Sequence, residues 1–209
     1  MSLFLGKIHY WLYNKIVWAE SLEEEIIGWA KKAGLPVEEW LQPIYSRYGM
    51  PTGNKPLEEI IDTSNIHGWL QQTIAKAESR QAALITQIIN DNKANKDELL
   101  NLFSKQGSAV ASQYEGKINT PEDAYKILND FILEGMPCDR VAEVVDNNDQ
   151  EIVWRTTACL HKFYWDEVQG DVQNFYDLRE GWIKAFVETL GNGLRYMKVS
   201  ADTQKIQRT

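Results

Sequence analysis

Four residues near the start of the C-terminal third carry side chains that could do chemistry together. Arg155, Thr157, Cys159 and His161 occupy every second position of the segment EIVWRTTACLH. Because alternate side chains of a β-strand point to the same face, a strand here would align a cation, a hydroxyl, a thiol and an imidazole. A neighbouring cation lowers the pKa of a thiol and makes it a nucleophile. The pattern therefore predicts Cys159 and His161 as a catalytic pair, with Arg155 and Thr157 as ligand-binding residues.

The same segment suggests what the ligand would be. A guanidinium binds a carboxylate through two parallel hydrogen bonds, so Arg155 favours a small molecule that bears a carboxylate. The sequence also has eight tryptophans, which either line an aromatic ligand cavity, with Trp154 among the ligand-binding residues, or simply fill the core. The alternative for the polar side of the strand is an ordinary solvent-exposed face.

The remaining scarce residues give weaker signals. His9 lies on one helical stripe with Leu5, Leu12 and Ile16, so it should point inward, either as a hydrogen-bonded core residue or as a ligand-binding one. The Cys-x-His spacing at Cys159 lacks the four-ligand pattern of structural zinc, so no metal site is predicted. Nucleotide-binding loops, GxSxG elbows and HExxH motifs are absent, and no cofactor is indicated.

Capped helices account for the first two thirds of the chain. The apolar stripe of the first helix ends near Ala19, and the capping box Ser21-Leu-Glu-Glu24 predicts a second helix over Leu22 to Ala33. A longer helix is predicted from about Ile66 to Asn90. Thr120-Pro121-Glu122-Asp123 combines an N-cap, a first-turn proline and first-turn acids at the start of another. Five or six helices are expected.

The period changes after Cys138. β-Branched residues predict strands over Arg140 to Val145 and Gln150 to His161, joined by a turn. An amphipathic helix ending at Leu190 and a third strand over Leu194 to Val199 follow. The expected fold is α+β, predominantly α-helical, with the helices packed on a small antiparallel sheet. We expect a single domain with a helical part (1–137), a hairpin-helix-strand part (138–199) and a solvated tail (200–209).

Charge and hydropathy exclude several classes of partner. A net charge of −8 repels phosphate backbones and anionic lipid surfaces, so neither nucleic acid nor a membrane is an expected partner. The apolar run from Leu3 to Trp18 is interrupted by Lys7 and Lys15, which fits neither a signal peptide nor a membrane span. The two cysteines lack a CxxC spacing and are expected as reduced thiols in the cytoplasm.

The order of elements across Arg140 to Val199 resembles the C-terminal half of two groups of proteins. These are proteins similar to 2-aminothiazoline-4-carboxylate hydrolases and vinyl-reductase-type small-molecule-binding domains. The resemblance implies an intracellular domain that handles small molecules, and only Cys159 carries over.

The sequence leaves two candidate functions open. One is a cytoplasmic small-molecule-binding protein with hydrolase-like chemistry on an undetermined substrate, and the other is a non-catalytic helical interaction module. Homo-oligomers fit either function.

Overall fold

The computed structural model describes residues 5–209, so Leu3 and Phe4 of the first apolar run lie outside the described residues. The described chain is mostly helical with one small antiparallel sheet, which confirms the predicted α+β class. The helices are α1 Lys7–Lys32, α2 Val37–Tyr48, α3 Leu57–Ile60, α4 Ile66–Asp91, α5 Asn95–Ser112, α6 Pro121–Phe131, α7 Lys162–Glu167 and α8 Val172–Leu190, with a 3-10 helix at Pro137–Asp139. The strands are β1 Ala142–Asn147, β2 Glu151–Thr156, β3 Leu194–Lys198 and β4 Thr203–Arg208.

The contacts of the chain group into two compact units. Unit 1 comprises residues 5–96, Leu133–Met136 and His161–Val172. Unit 2 comprises Asp97–Ile132, Pro137–Leu160 and Gln173–Thr209. The assignment of one domain to the whole chain stays a prediction. Within residues 5–209, every helix is too short or too polar to span a lipid bilayer.

Helix α4 is the central element of unit 1, because α1, α2 and α7 all pack against it. Its N-cap Asn65 accepts a hydrogen bond from the backbone N–H of Gly68 at 3.2 Å, which fixes the predicted start of the helix. The apolar stripe of α4 meets buried residues of α1 and α3. This core contains Leu12, Tyr13, Ile16, Leu57, Ile61, Ile66, Leu70, Ile74 and Ala77.

Helix α1 is longer than predicted. It runs without interruption through Ser21, so the predicted second helix over Leu22 to Ala33 is the second half of α1. The hydroxyl of Ser21 donates to the carbonyl oxygen of Trp18 inside the helix at 2.8 Å and does not act as an N-cap. The capping-box interpretation is therefore wrong. One continuous helix carries buried side chains from His9 to Ala30.

The sheet of unit 2 has the strand order β1-β2-β4-β3 and is antiparallel throughout. The β1–β2 hairpin confirms the predicted pairing, with a bulge at Val145. Helix α6 packs against β2 and β4 and begins with the predicted cap, in which Thr120 Oγ1 accepts from the Asp123 N–H at 3.1 Å. Trp154 on β2 is buried between the rings of Tyr125 and Tyr196.

The C-terminal residues form a strand instead of a solvated tail. β4 lies between β2 and β3, and its Ile206 is fully buried opposite Ile152 of β2 and Tyr196 of β3. Lys205 pairs with Glu151 at 2.9 Å. The predicted solvated tail over residues 200–209 is therefore wrong, since Thr203–Arg208 form the second inner strand of the sheet.

Helices α5 and α8 approach closely at a glycine. A β-carbon on Gly107 of α5 would overlap the carbonyl oxygen of Trp182 of α8. The indole N–H of Trp182 donates to Gln106 Oε1 at 3.0 Å, one residue away from that contact. The absence of a side chain at position 107 thus sets the distance between the two helices.

Candidate functional site

The predicted catalytic face does not form on a strand. β2 ends at Thr156, so Thr157, Cys159 and His161 lie beyond the strand and do not share a face with Arg155. Cys159 is exposed in unit 2, whereas His161 belongs to unit 1 and is 1% exposed. The predicted alignment of the four side chains is wrong, and the catalytic roles of Cys159 and His161 stay predictions.

The two predicted ligand-binding residues at the end of β2 are bound within unit 2. Arg155 Nη2 donates to Glu143 Oε1 of β1 at 2.5 Å, across a paired position of the hairpin. This hydrogen bond and the charge of Glu143 raise the pKa of the Arg155 guanidinium. The hydroxyl of Thr157 donates to the carbonyl oxygen of Arg140 at 2.9 Å. Both side chains stabilise the base of the hairpin, and the Arg155 charge is compensated.

A buried acid–imidazole–acid cluster lies in unit 1, which we call the His161 triad: Glu78, Glu134 and His161. His161 is the residue before α7, and its Nδ1 lies 3.0 Å from Glu78 Oε2 of α4. Its Nε2 lies 3.5 Å from Glu134 Oε2, in the segment that follows α6. Glu78 is buried, while the side chain of Glu134 is 23% exposed. The triad therefore runs from the surface of unit 1 to its central helix.

The charge of the triad follows from its surroundings. Burial alone disfavours the imidazolium, but the carboxylates of Glu78 and Glu134 outweigh this effect and raise the pKa of His161 to about 9. His161 is thus protonated at pH 7, and both ring nitrogens act as donors.

A second buried ionic group, the Arg80 cluster (Arg80, Glu20 and Glu23), occupies another side of α4. Arg80 Nε lies 3.1 and 3.0 Å from the two oxygens of Glu23, and Nη2 lies 2.6 Å from Glu20 Oε1. The second oxygen of Glu20 accepts from the backbone N–H of Thr52 at 2.9 Å and from its hydroxyl at 2.5 Å. All three side chains are buried, and the cluster holds two carboxyl groups for one guanidinium.

Burial shapes the proton affinities of the Arg80 cluster. Desolvation raises the pKa of Glu23, although Arg80 and a hydrogen bond from Tyr45 oppose it. Burial, reinforced by the charge of Glu23, raises the pKa of Tyr45 to about 12. Tyr45 is therefore a neutral donor across the physiological range. Breaking such a buried network is costly, because the remaining charges lose their partners.

His9 is buried, as its helical stripe predicts, and it contacts a second histidine. The backbone N–H of Gly6 donates to His9 Nδ1 at 2.9 Å, so that nitrogen carries no proton. The proton of a neutral His9 must then be on Nε2, which lies 3.4 Å from His67 Nε2 of α4. Burial and then the charge of a protonated His67 lower the pKa of His9. A neutral His9 thus donates to His67 through Nε2.

This tautomer does not suit a metal ion at the histidine pair. Metal ligation through His9 Nε2 would require removal of its proton while Nδ1 also stays unprotonated. Among residues 5–209, no group of three or more His, Cys, Asp and Glu side chains has a geometry for holding a metal ion.

Neither the His161 triad nor the Arg80 cluster was predicted from the sequence. One signal was present, because Glu78 lies four residues after Ile74 and seven before Ile85, on the apolar stripe of α4. A charged residue on a buried stripe needs a partner. Nothing in the sequence points to His161 as that partner, since the two residues are 83 positions apart.

Comparisons with family models, with curated proteins and with solved structures find no match to this chain.

Proposed function

We propose that this chain is a cytoplasmic small-molecule-binding protein whose ligand bears a positively charged amine and binds in unit 1 beside Glu134. The observation that carries this proposal is the His161 triad, in which an imidazolium that is protonated at pH 7 lies between two carboxylates. Titratable groups with strongly shifted pKa values concentrate at functional sites. Glu134 is the most exposed of the three, so it is the member that a ligand would meet first.

The sign of the charge favours an amine over the carboxylate predicted from Arg155. Arg155 is paired with Glu143, and Arg80 is paired with two carboxylates, so both guanidinium groups are compensated by acids. The His161 triad instead has a partly exposed carboxylate, Glu134, whose side chain is 23% exposed, whereas Glu20 and Glu23 of the Arg80 cluster are buried. Carboxylates bind ammonium groups through charge-assisted hydrogen bonds, so an amine is the ligand that the partly exposed Glu134 favours.

A thermal-shift screen tests the proposal with matched ligands. Primary amines, the corresponding carboxylates and divalent metal ions are added to the full chain at equal concentrations. A ligand present at 100 times its Kd stabilises a one-site protein by about 2.7 kcal/mol, which is well above detection. We expect a shift with one or more amines and none with their carboxylate counterparts.

Two variants locate the effect. Glu134→Gln keeps the shape of the side chain but removes its charge, and it should abolish the amine shift. Glu38→Gln removes a carboxylate from an exposed pair with Lys31 and should leave the shift unchanged. A shift with carboxylates that is lost in Arg155→Ala would contradict the amine proposal and support the ligand predicted from the sequence. Mass analysis of each stabilising ligand after incubation tests for hydrolase-like turnover.

A second candidate, a non-catalytic interaction module, is supported by the edge of the sheet. All six residues of β1 are exposed, and Val144 and Val145 are each 48% exposed. An edge strand with unpaired backbone groups can accept an extended peptide as an additional strand. Absence of any ligand shift, together with association that depends on protein concentration in sedimentation velocity, would favour this function and the predicted homo-oligomer.

A further inference from the structure

The two cysteines lie on neighbouring segments at the base of the β1–β2 hairpin. Ala142 and Thr156 are the last paired residues of the ladder at this end. The contact continues for one more step, because the Thr157 N–H donates to the Val141 carbonyl at 2.8 Å and the Thr157 hydroxyl to the Arg140 carbonyl at 2.9 Å. The two strands of the hairpin are therefore held together beyond the ladder.

Each cysteine lies two residues away from this contact along its own segment. Cys138 is two residues before Arg140, in the 3-10 helix, and Cys159 is two residues after Thr157. Two residues of chain span at most about 7 Å, so the Cα of each cysteine lies within that distance of a residue of this hydrogen-bonded contact. Both side chains are exposed, so reagents in solution reach them.

We propose that Cys138 and Cys159 form a dithiol site that closes reversibly to an intramolecular disulfide with a hydroperoxide as oxidant. The thiolate of one cysteine attacks a peroxide oxygen, forming an S–O bond as the O–O bond breaks and water or an alcohol leaves. The second thiol then attacks that sulfur, the S–S bond forms, and the S–O bond breaks with release of water. Two electrons pass from the cysteines to the peroxide, and a dithiol reductant reverses the change.

Peptide mapping tests the connectivity. The reduced full chain is treated with one equivalent of hydrogen peroxide at low protein concentration, blocked with an alkylating reagent and digested with trypsin without reduction. Cleavage after Lys126, Arg140, Arg155 and Lys162 places Cys138 in residues 127–140 and Cys159 in residues 156–162. We expect the two peptides to be joined with the loss of two hydrogens. Disulfide-linked dimers, or sulfenic acid on each cysteine without the cross-link, would overturn the proposal.

An equilibrium measurement shows whether folding creates the site. The effective concentration of the two thiols is measured against glutathione for the native chain and for the chain unfolded in guanidinium chloride. In the unfolded chain it should have the millimolar value of a flexible loop, and the native value should be at least about tenfold higher. Cys138→Ser and Cys159→Ser serve as controls, since each should stop at a mixed disulfide with glutathione. A native value equal to or below the unfolded value would overturn the proposal.

Discussion

Unit 1 buries two histidines near its central helix, and their surroundings give them opposite proton affinities. His9 meets another imidazole, His67 of α4, and its pKa is lowered. His161 meets Glu78 of α4 and the nearby Glu134, and its pKa is raised to about 9. Burial disfavours the charged form at both positions. The partner residue, and not the extent of burial, therefore decides whether the pKa of the histidine is raised or lowered.

We therefore expect His9 and His161 to make opposite contributions to the pH dependence of stability. The unfolded chain titrates its histidines near pH 6.5. His161 keeps its proton in the folded state up to about pH 9, so its stabilising contribution is complete below pH 6.5 and is lost as the pH rises through 9. His9 binds its proton less readily when folded, so its contribution is lost as the pH falls below 6.5.

Removing the charged partner of His161 should have the largest effect. Glu78→Gln leaves a buried imidazolium without its closest carboxylate, and we expect the free energy of unfolding at pH 7 to fall by about 3 kcal/mol. Denaturant unfolding measures it, with Glu38→Gln as a surface control that should change stability by less than about 0.5 kcal/mol. A loss of that small size in Glu78→Gln would show that the triad is not an ionic cluster.

The second largest effect is expected in the pH dependence of the free energy of unfolding of the wild-type chain. Between pH 6.5 and 9 the free energy of unfolding should fall by about 3 kcal/mol on account of His161, because the folded state alone retains this proton. In His161→Gln this slope should be much shallower, whereas His9→Gln should keep it. Urea unfolding at several pH values makes the measurement, and parallel profiles for wild type and His161→Gln would contradict the assignment.

Replacing the partner of His9 by an acid should raise the pKa of His9, as the acids around His161 raise the pKa of His161. His67→Glu places a carboxylate beside His9, and we expect the pKa of His9 to rise by at least about one unit, equivalent to about 1.4 kcal/mol. NMR titration of the imidazole protons reports this value directly. His67→Gln, which is neutral, should not raise the pKa above its ordinary value. If both variants behave alike, the nature of the partner does not control His9.

The smallest effect is expected at Cys159. Both ring nitrogens of His161 face carboxylates, so replacing this residue should not alter the reactivity of an exposed thiol. Alkylation of Cys159 at pH 7 should differ by less than twofold between wild type and His161→Gln, with Cys138 in the same sample as the internal standard. A tenfold slower reaction of Cys159 alone would support the catalytic pair predicted from the sequence.

Local signals predicted the elements that depend on local chemistry. The cap at Thr120 and the stripe of α4 were identified because N-cap hydrogen bonds and helical periodicity involve residues close in sequence. The inward direction of His9 followed from the same periodicity. β4 was missed because only Ile206 is buried among its polar residues, and that burial depends on strands β2 and β3 on either side.

The candidate site could not be predicted because its partners are distant in the sequence. Glu78 and His161 are brought together by the packing of α7 on α4, which no local pattern encodes. The same limit explains the error at the end of β2. Residues 157–161 have the alternation of a strand, but at His161 the burial of an imidazole between two acids replaces pairing with a neighbouring strand.

The close approach of α5 and α8 at Gly107 restricts which amino acids can occupy this position. Any side chain there would push α8 away from α5, so every other amino acid is unsuitable at this position. Gly28 lies inside α1 with no atom near its missing β-carbon, and alanine there should instead stabilise the helix by about 0.5–1 kcal/mol. In a library of functional variants, position 107 should therefore be invariant while position 28 drifts, although both are glycines in the middle of a helix.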